Sequence, residues 1–306
     1  MTTDLTRRAF LRRTALCGAG IAFASSSAAG RLFGAAGLDF YNPPIDLAVV
    51  TGDSPAKNCL AAVEALGGFG KFVRSGDKVV VKPNPVGSNR PERAINTHPE
   101  MIEVVVRECL GLGAKEVIVL SNDEFRSFNG NGTTAAVERA GGVVRPVQEK
   151  SQFREVLVPR ARLLKRVDIA SDILDADVFI NMPIAKHHAG STVTLSMKNL
   201  MGVNWDRIQF HRTDLHQCIA ELTATVRPDL IILDANHVLL TNGPMGPGEV
   251  LAGKRVIAGT DPVAVDAFAT KAFFGEPGRI RHIQAAYDLG AGEIDFDRLR
   301  IREFEA

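Results

Sequence analysis

Short Val- and Ile-rich runs, each ending in a polar cluster, recur along the chain and restrict its fold more than any other feature. Residues 47–50 lead into Thr51-Gly52-Asp53-Ser54, 78–81 into Lys82-Pro83-Asn84, and 116–120 into Ser121-Asn122-Asp123. Residues 178–180 lead into Asn181-Met182-Pro183, 230–233 into Asp234-Ala235-Asn236, and 255–258 into Gly259-Thr260-Asp261. Apolar runs of this length read as strands buried on both faces of a sheet. Helical patterns separate several of them. Over 98–112, Met101, Val105, Cys109 and Leu112 form one stripe, Thr97 and Glu100 make a Thr-x-x-Glu capping box, and Pro99 sits in the first turn. Further helices are expected at 133–140, 216–226 and 262–274, the last with Asp261 as N-cap. The alternation predicts an α/β fold, a mostly parallel sheet flanked by helices. The charged stretch 149–172 has no strong period and reads as an insertion or a hairpin.

The N-terminus carries a different kind of information. Thr6-Arg7-Arg8-Ala9-Phe10-Leu11-Arg12 resembles a twin-arginine export motif. An Ala/Gly-rich apolar stretch over 15–24 and a run of small residues over 25–30 follow it, in the order of a secretory signal. The apolar stretch is shorter than the roughly 20 residues a membrane span needs, so no stable span is expected. Cys17 follows Leu16, where a lipid-attachment signal would place a small residue. Residues 1–36 are thus assigned to signal and short linker, with cleavage after Ala29 or Ala36. Residues 37–306 form the α/β domain, as one body or two lobes. The expected partner in export is the twin-arginine translocase, and the expected location is periplasmic or otherwise extracytoplasmic.

The 306 residues are 45% hydrophobic and 23% charged, which excludes a disordered chain, a collagen-like repeat and a disulfide mini-scaffold. The formal net charge is +1, but residues 1–29 hold four Arg and one Asp. The remainder carries 32 basic and 34 acidic groups, a net of −2. No nucleic-acid footprint is present. Cys59, Cys109 and Cys218 are far apart in sequence and form no Cys-x-x-Cys, so no iron–sulfur cluster is expected. Cys109 falls on an apolar helix face and reads as core. One disulfide among the three is compatible with an oxidising compartment.

In open parallel sheets, ligands sit beyond the carboxyl ends of the strands. If all six strands are parallel, their polar ends converge on one rim. Lysine, histidine and amide groups are dense in Asn181-Met-Pro-Ile-Ala-Lys186-His187-His188 and Ser196-Met-Lys198-Asn199-Leu-Met-Gly202, with His211 and His216 close behind. Lysines hold carboxylates or phosphates as point charges, and imidazoles transfer protons or bind metals. Asp266 lies in a very apolar helix, where a carboxylate needs a partner; a rim lysine such as Lys82 is the expected one. Asn242-Gly-Pro-Met-Gly-Pro-Gly248 reads as an anion-approaching loop or as a rigid turn or lid.

These segments resemble the domain-of-unknown-function 362 family. The signatures are Val-Lys82-Pro83-Asn84, Asn96-Thr97-His98-Pro99-Glu100, Asp177-Val-Phe-Ile-Asn181-Met-Pro183, Lys186-His187, Lys198-Asn199-Leu-Met-Gly202 and Gly259-Thr260-Asp261-Pro262-Val-Ala-Val-Asp266. They run in order over residues 47–290. The resemblance implies an α/β domain, often exported by the twin-arginine route. Some relatives append a ferredoxin-like segment with four-cysteine motifs, which this chain lacks.

Three functions compete, in this order. The first is an exported enzyme acting on a small anionic substrate. Lys82, Lys186 and Lys198 position the anion in a cleft, and His98 or His187 is general acid and base. Asn84, Asn181, Asn199 and Thr260 orient the substrate, and Asp266 holds a lysine. A divalent metal is the optional cofactor, with His187, His188, Asp234 and Asp261 as candidate ligands. The second is a binding protein that captures a cofactor or metal without chemistry. The third is an assembly partner, which predicts a large exposed apolar patch instead of a polar cleft.

Overall fold

The computed structural model describes residues 45–121 and 125–306. The export signal, its linker and the Asn122-Asp123 end of the third apolar run lie outside the described residues. Every one of the six apolar runs forms a strand, and all six belong to one sheet. Its strands are β1 (Leu47–Thr51), β2 (Lys78–Pro83), β3 (Glu116–Ser121), β4 (Val143–Pro146), β7 (Val178–Met182), β8 (Ile184–His188), β9 (Thr192–Thr194), β10 (Leu230–Leu239), β11 (Val250–Gly259) and β12 (Ile301–Glu305). The main path runs β12-β1-β11-β10-β7-β2-β3-β4, with β8 paired to the far part of β10 and β9 to β8. A separate antiparallel hairpin, β5 (Phe153–Leu157) with β6 (Arg166–Ala170), occupies the charged stretch.

Most neighbours on that path are parallel: β12 with β1, β10 with β7, β7 with β2, β2 with β3, and β3 with β4. The exception is β11, antiparallel to both β1 and β10. Its last residue, Gly259, therefore pairs with Leu47 and Ile231, at the beginnings of those two strands. The sixth polar cluster, Thr260-Asp261, thus does not join the rim formed by the other strand ends.

Helices cover both faces. One is packed by α1 (Pro55–Ala65) and α2 (Pro99–Gly111), whose Cys59, Ala62, Val63, Met101, Val105 and Cys109 meet Val79, Val81, Ala48 and Val50. Two short helices, α3 (Phe125–Gly130) and α4 (Thr133–Arg139), precede β4. The four-residue α5 (Ser171–Leu174) follows β6, and α6 (Ser196–Asn199) and α7 (Ile208–Arg212) follow β9. The second face is packed by α8 (Leu215–Thr225), α9 (Pro262–Phe273) and α10 (Arg281–Asp288), whose Cys218, Ile219, Val263, Ala267 and Ile283 meet Leu47, Val49, Val80, Ile231 and Leu233. The period-two alternation of each strand thus feeds two apolar layers, which explains why the runs are continuously hydrophobic.

The start of α2 differs from the expected capping box. His98 is the N-cap, its Nδ1 accepting from the Glu100 amide at 3.3 Å. Thr97 instead accepts from the Asn84 amide and donates its hydroxyl to the Met182 carbonyl, at 2.9 and 2.7 Å, tying the exits of β2 and β7 together. All three cysteines are buried and free, so they form no disulfide. Burial pushes the Cys109 thiol up to about 12. Among the described residues no helix is long and apolar enough to cross a membrane.

Candidate functional site

The exits of β2 and β7 place two motif residues side by side. Lys82 and Asn181 are register partners on adjacent parallel strands. Both follow the alternation onto the α8–α10 face, where α6 lies over them. Lys82 is only 1% exposed. It donates to the Pro83 carbonyl at 2.6 Å and approaches Asn199 Oδ1 at 3.4 Å. Lys186, from β8, is equally buried and donates to Asn84 Oδ1 at 2.8 Å and to the Ile95 carbonyl at 2.7 Å.

Two asparagines, Asn84 and Asn199, connect the two lysines, and a third, Asn181, extends the network. Asn84 Nδ2 donates to Asn199 Oδ1 at 2.9 Å, and Asn199 Nδ2 donates to Asn181 Oδ1 at 2.8 Å. Asn181 Nδ2 then donates to the Ser196 hydroxyl and carbonyl, at 3.0 and 3.1 Å. The chain Lys186–Asn84–Asn199–Asn181–Ser196 is continuous and directed, each amide accepting on one side and donating on the other. Such a network is rigid because every shift unmakes a neighbour's bond.

Asp266 supports this network from beneath. Its carboxylate accepts from the Ser196 and Met197 amides at 2.6 and 2.9 Å. These backbone amides replace the lysine expected as its partner. Burial holds the Asp266 carboxyl well above the usual carboxylate range. The residue anchors the first turn of α6 and, through it, Lys198 and Asn199.

Gly202, in the turn after α6, lies against Lys82. A Cβ there would fall 2.6 Å from Lys82 Cε and 2.8 Å from Nζ. Gly202→Ala is expected to displace the ammonium from the Pro83 carbonyl and to cost about 1–3 kcal/mol through overpacking. Urea denaturation together with a crystal structure of the variant checks both effects.

Asp234 belongs to a different constellation. The alternation along β10 turns it to the α1–α2 face, opposite Lys82 and Asn181. There it accepts from the His98 backbone amide at 2.8 Å and from the Asn236 side chain at 2.7 Å. His98 sits with Asp234 rather than with the lysines.

A histidine group borders the network. His187 Nδ1 accepts from the Gly243 amide at 3.0 Å, so the Gly/Pro loop is strapped to β8. His188 Nδ1 accepts from the Gly190 and Ser191 amides at 3.0 and 3.2 Å, which puts its ring proton on Nε2. Burial, with Lys198 and Lys186 nearby, lowers His188 to about 3. His216 and His282 face each other, Nδ1 to Nδ1 at 3.2 Å, with rings stacked at 25°. Burial and the His216 ring lower His282 to about 3.

The family profile described as Domain of unknown function (DUF362) matches residues 79–271, a span that contains every quoted signature from Lys82 to Asp266. The chain belongs to this family. A curated relative, the thylakoid-associated protein sll1697 of Synechocystis sp., is 30% identical over 266 residues, covering 79% of this chain and 78% of that protein. Among solved structures, the lactate racemase apoprotein from Thermoanaerobacterium thermosaccharolyticum is similar with a TM-score of 0.47 and 12% identity. That match covers 73% of this chain and 56% of the other, so the chain spans just over half that structure's length.

The DUF362 signatures are therefore distributed over more than one place. Lys82, Asn84, Asn181, Lys186 and Asn199 come together, with Asp266 behind them and Lys198 one residue away on α6. Thr260 is exposed at the end of β11 and does not reach this group. Asp261 serves as the N-cap of α9, accepting from Val263 and Ala264, and also binds the Glu293 amide at 2.9 Å. The four candidate metal ligands, His187, His188, Asp234 and Asp261, are not assembled. Asp234 is on the other face and Asp261 follows the antiparallel strand. Among the described residues no three His, Cys, Asp or Glu side chains converge as ligands. The lysines are enclosed rather than set in an open cleft; two shallow hollows, of about 300 and 260 Å³, lie elsewhere.

Sequence reasoning missed Ser196, which closes the amide chain, and His282, which joins the histidines from α10. Ser196 was legible as the first residue of the Ser-Met-Lys-Asn motif. His282 carries no local signal, because its role arises only when α10 packs on α8.

Proposed function

We propose that this DUF362 protein is an exported enzyme acting on a small anionic substrate recognised by its lysine, amide and histidine groups. The observation that carries this reading is the pair of buried ammonium groups, Lys82 and Lys186, joined through one asparagine network at the exits of parallel strands. That is where open α/β sheets bind ligands. Charged donors in a water-poor setting favour an anion strongly, and fixed amides set its orientation. His187, with its Nδ1 engaged by Gly243, keeps Nε2 for proton transfer, the role we assign to it. The internal saturation of the asparagines supports a second reading, capture of the anion without turnover. The twin-arginine-like segment supports export and a periplasmic or other extracytoplasmic site of action.

Titration calorimetry with small carboxylates and phosphate tests the anion reading. Lys82→Met and Lys186→Met are each expected to weaken binding at least tenfold, and unchanged affinity in both would sink it. Once a ligand is found, NMR of the ligand pool separates the two readings. His187→Ala should abolish turnover but not binding; binding with no turnover in the wild type selects capture. Recovery of full-length chain from the cytoplasm alone, with no shortened form outside it, would overturn export.

A further inference from the structure

The amide chain that begins at Lys186 returns to the strand paired with it. It ends on Ser196, at the start of α6, and β9 lies just before that turn. In the antiparallel ladder between β8 and β9, Lys186 is the register partner of Thr194, two residues before Ser196. Register partners in such a ladder present their side chains to the same face, with Cβ atoms roughly 4.5–5.5 Å apart. The neighbours agree. Val193 and Leu195 enter the core layer that also takes Ala185, so the alternation sends Thr194 to the opposite side, with Lys186. Thr194 therefore stands beside the lysine from which the chain starts and next to the turn on which it ends.

Other hydroxyls around the network are engaged. Thr97 accepts from Asn84 and donates to Met182, Ser196 accepts from Asn181, and Ser191 donates to the Val193 carbonyl at 3.0 Å. Thr194 differs. It is 4% exposed, and its Oγ1 is buried with no hydrogen-bond partner among the described residues. A buried hydroxyl without a partner costs free energy, and native structures rarely keep one unless a ligand or water meets it. Valine has the same shape without that cost, so packing alone favours valine at this position.

We propose that Thr194 is a ligand-contacting residue of the lysine–asparagine site, its hydroxyl donating to one oxygen of a small oxyanion, a carboxylate or phosphate, seated beside Lys186. This assignment rests on the small-anion reading and adds a neutral donor to it. An ammonium attracts an anion as a point charge, whereas a hydroxyl hydrogen bond is directional. Thr194 thus sets which way the bound oxygen points.

The test is titration calorimetry of the full-length protein with sodium acetate and, separately, sodium phosphate. Thr194→Val should weaken whichever anion binds by about tenfold or more, the worth of one hydrogen bond to a charged acceptor. Thr194→Ser, which keeps the hydroxyl, should retain most of the affinity. The ligand-free valine variant should resist urea at least as well as wild type, which a hydroxyl needed for the fold would not allow. If the valine variant does not fold, Thr194→Ala against Thr194→Ser makes the same comparison, since both lack the methyl group. Wild-type binding that valine leaves unchanged, or equal affinities in the serine and alanine variants, overturns the assignment and leaves the small-anion reading standing. Serine as weak as valine also overturns it, because side-chain shape rather than the hydroxyl would then decide binding. Binding of neither anion by wild type removes the small-anion reading, and this assignment with it.

Discussion

Asp266→Ala is expected to destabilise the protein by about 2–6 kcal/mol, because two buried backbone donors lose their acceptor at about 1–3 kcal/mol each. The amides are those of Ser196 and Met197, at 2.6 and 2.9 Å from the carboxylate. The damage should spread beyond local strain. With the first turn of α6 released, Ser196 no longer receives Asn181, and the amide chain to Lys186 loses its far end. Asp266→Asn separates charge from hydrogen bonding. Its oxygen can still accept one amide, while its NH2 opposes the other. Burial raises the folded-state pKa of Asp266, so the native state binds a proton more readily than the unfolded chain. That contribution favours folding at low pH and is lost as pH rises through the raised value. Asp266→Asn should remove that slope and cost less than alanine. Urea midpoints of the three proteins between pH 4 and 8 check the ranking. Equal stability of wild type and Asp266→Ala at neutral pH would show that the carboxylate does not hold α6.

The layered fold was legible because burial on two faces leaves a mark that one-sided strands do not. Residues 78–81 and 230–233 are apolar at every second position on both sides, apart from Lys78, and each alternate set enters a different core layer. The direction of β11 was harder to read from its own residues. Its signal lay in the segment before it: Asn242-Gly-Pro-Met-Gly-Pro-Gly248 is a turn sequence between two apolar runs with no room for a crossover helix, which calls for a hairpin and an antiparallel partner. The same loop fits the rigid-turn reading. A Cβ on Gly243 would lie 1.8 Å from the His187 carbonyl oxygen, so the glycine permits contact between two backbones. The gathering of site residues was legible only as far as strand ends could be ordered. Which face each side chain takes depends on parity: Lys82 and Asn181 fall on one side of the sheet, and Asp234 on the other. The two histidines of the ring pair are 66 residues apart, and no local pattern links them.

Acidification is expected to unfold this protein earlier than its carboxylates alone would dictate, because His282 is folded in its neutral form. Burial and the His216 ring depress its pKa from the ordinary 6.5 to about 3. For a group depressed in the native state, stability is present above the unfolded pKa and is lost as pH falls below it, since the unfolded chain takes up a proton that the native one refuses. The loss begins near pH 6.5 and continues toward pH 3. It amounts to about 2 kcal/mol at pH 5 for His282. His188, also depressed to about 3, adds a smaller share because it is only half-buried. The His216 pair gives this a structural origin: two Nδ1 atoms at 3.2 Å can share one proton, and a second would place two donors face to face. Arg281 and Lys198 add to the repulsion, while Asp214, bonded to Arg281 at 2.7 Å, opposes it at His216. His282→Gln should therefore lose stability at pH 8, where a good ring contact is removed, yet fall less steeply between pH 7 and 5 than the wild type. Asp266 contributes in the opposite direction in both proteins and cancels from the comparison. Parallel pH profiles for the two proteins, measured by urea denaturation, would exclude His282 as a source of acid sensitivity.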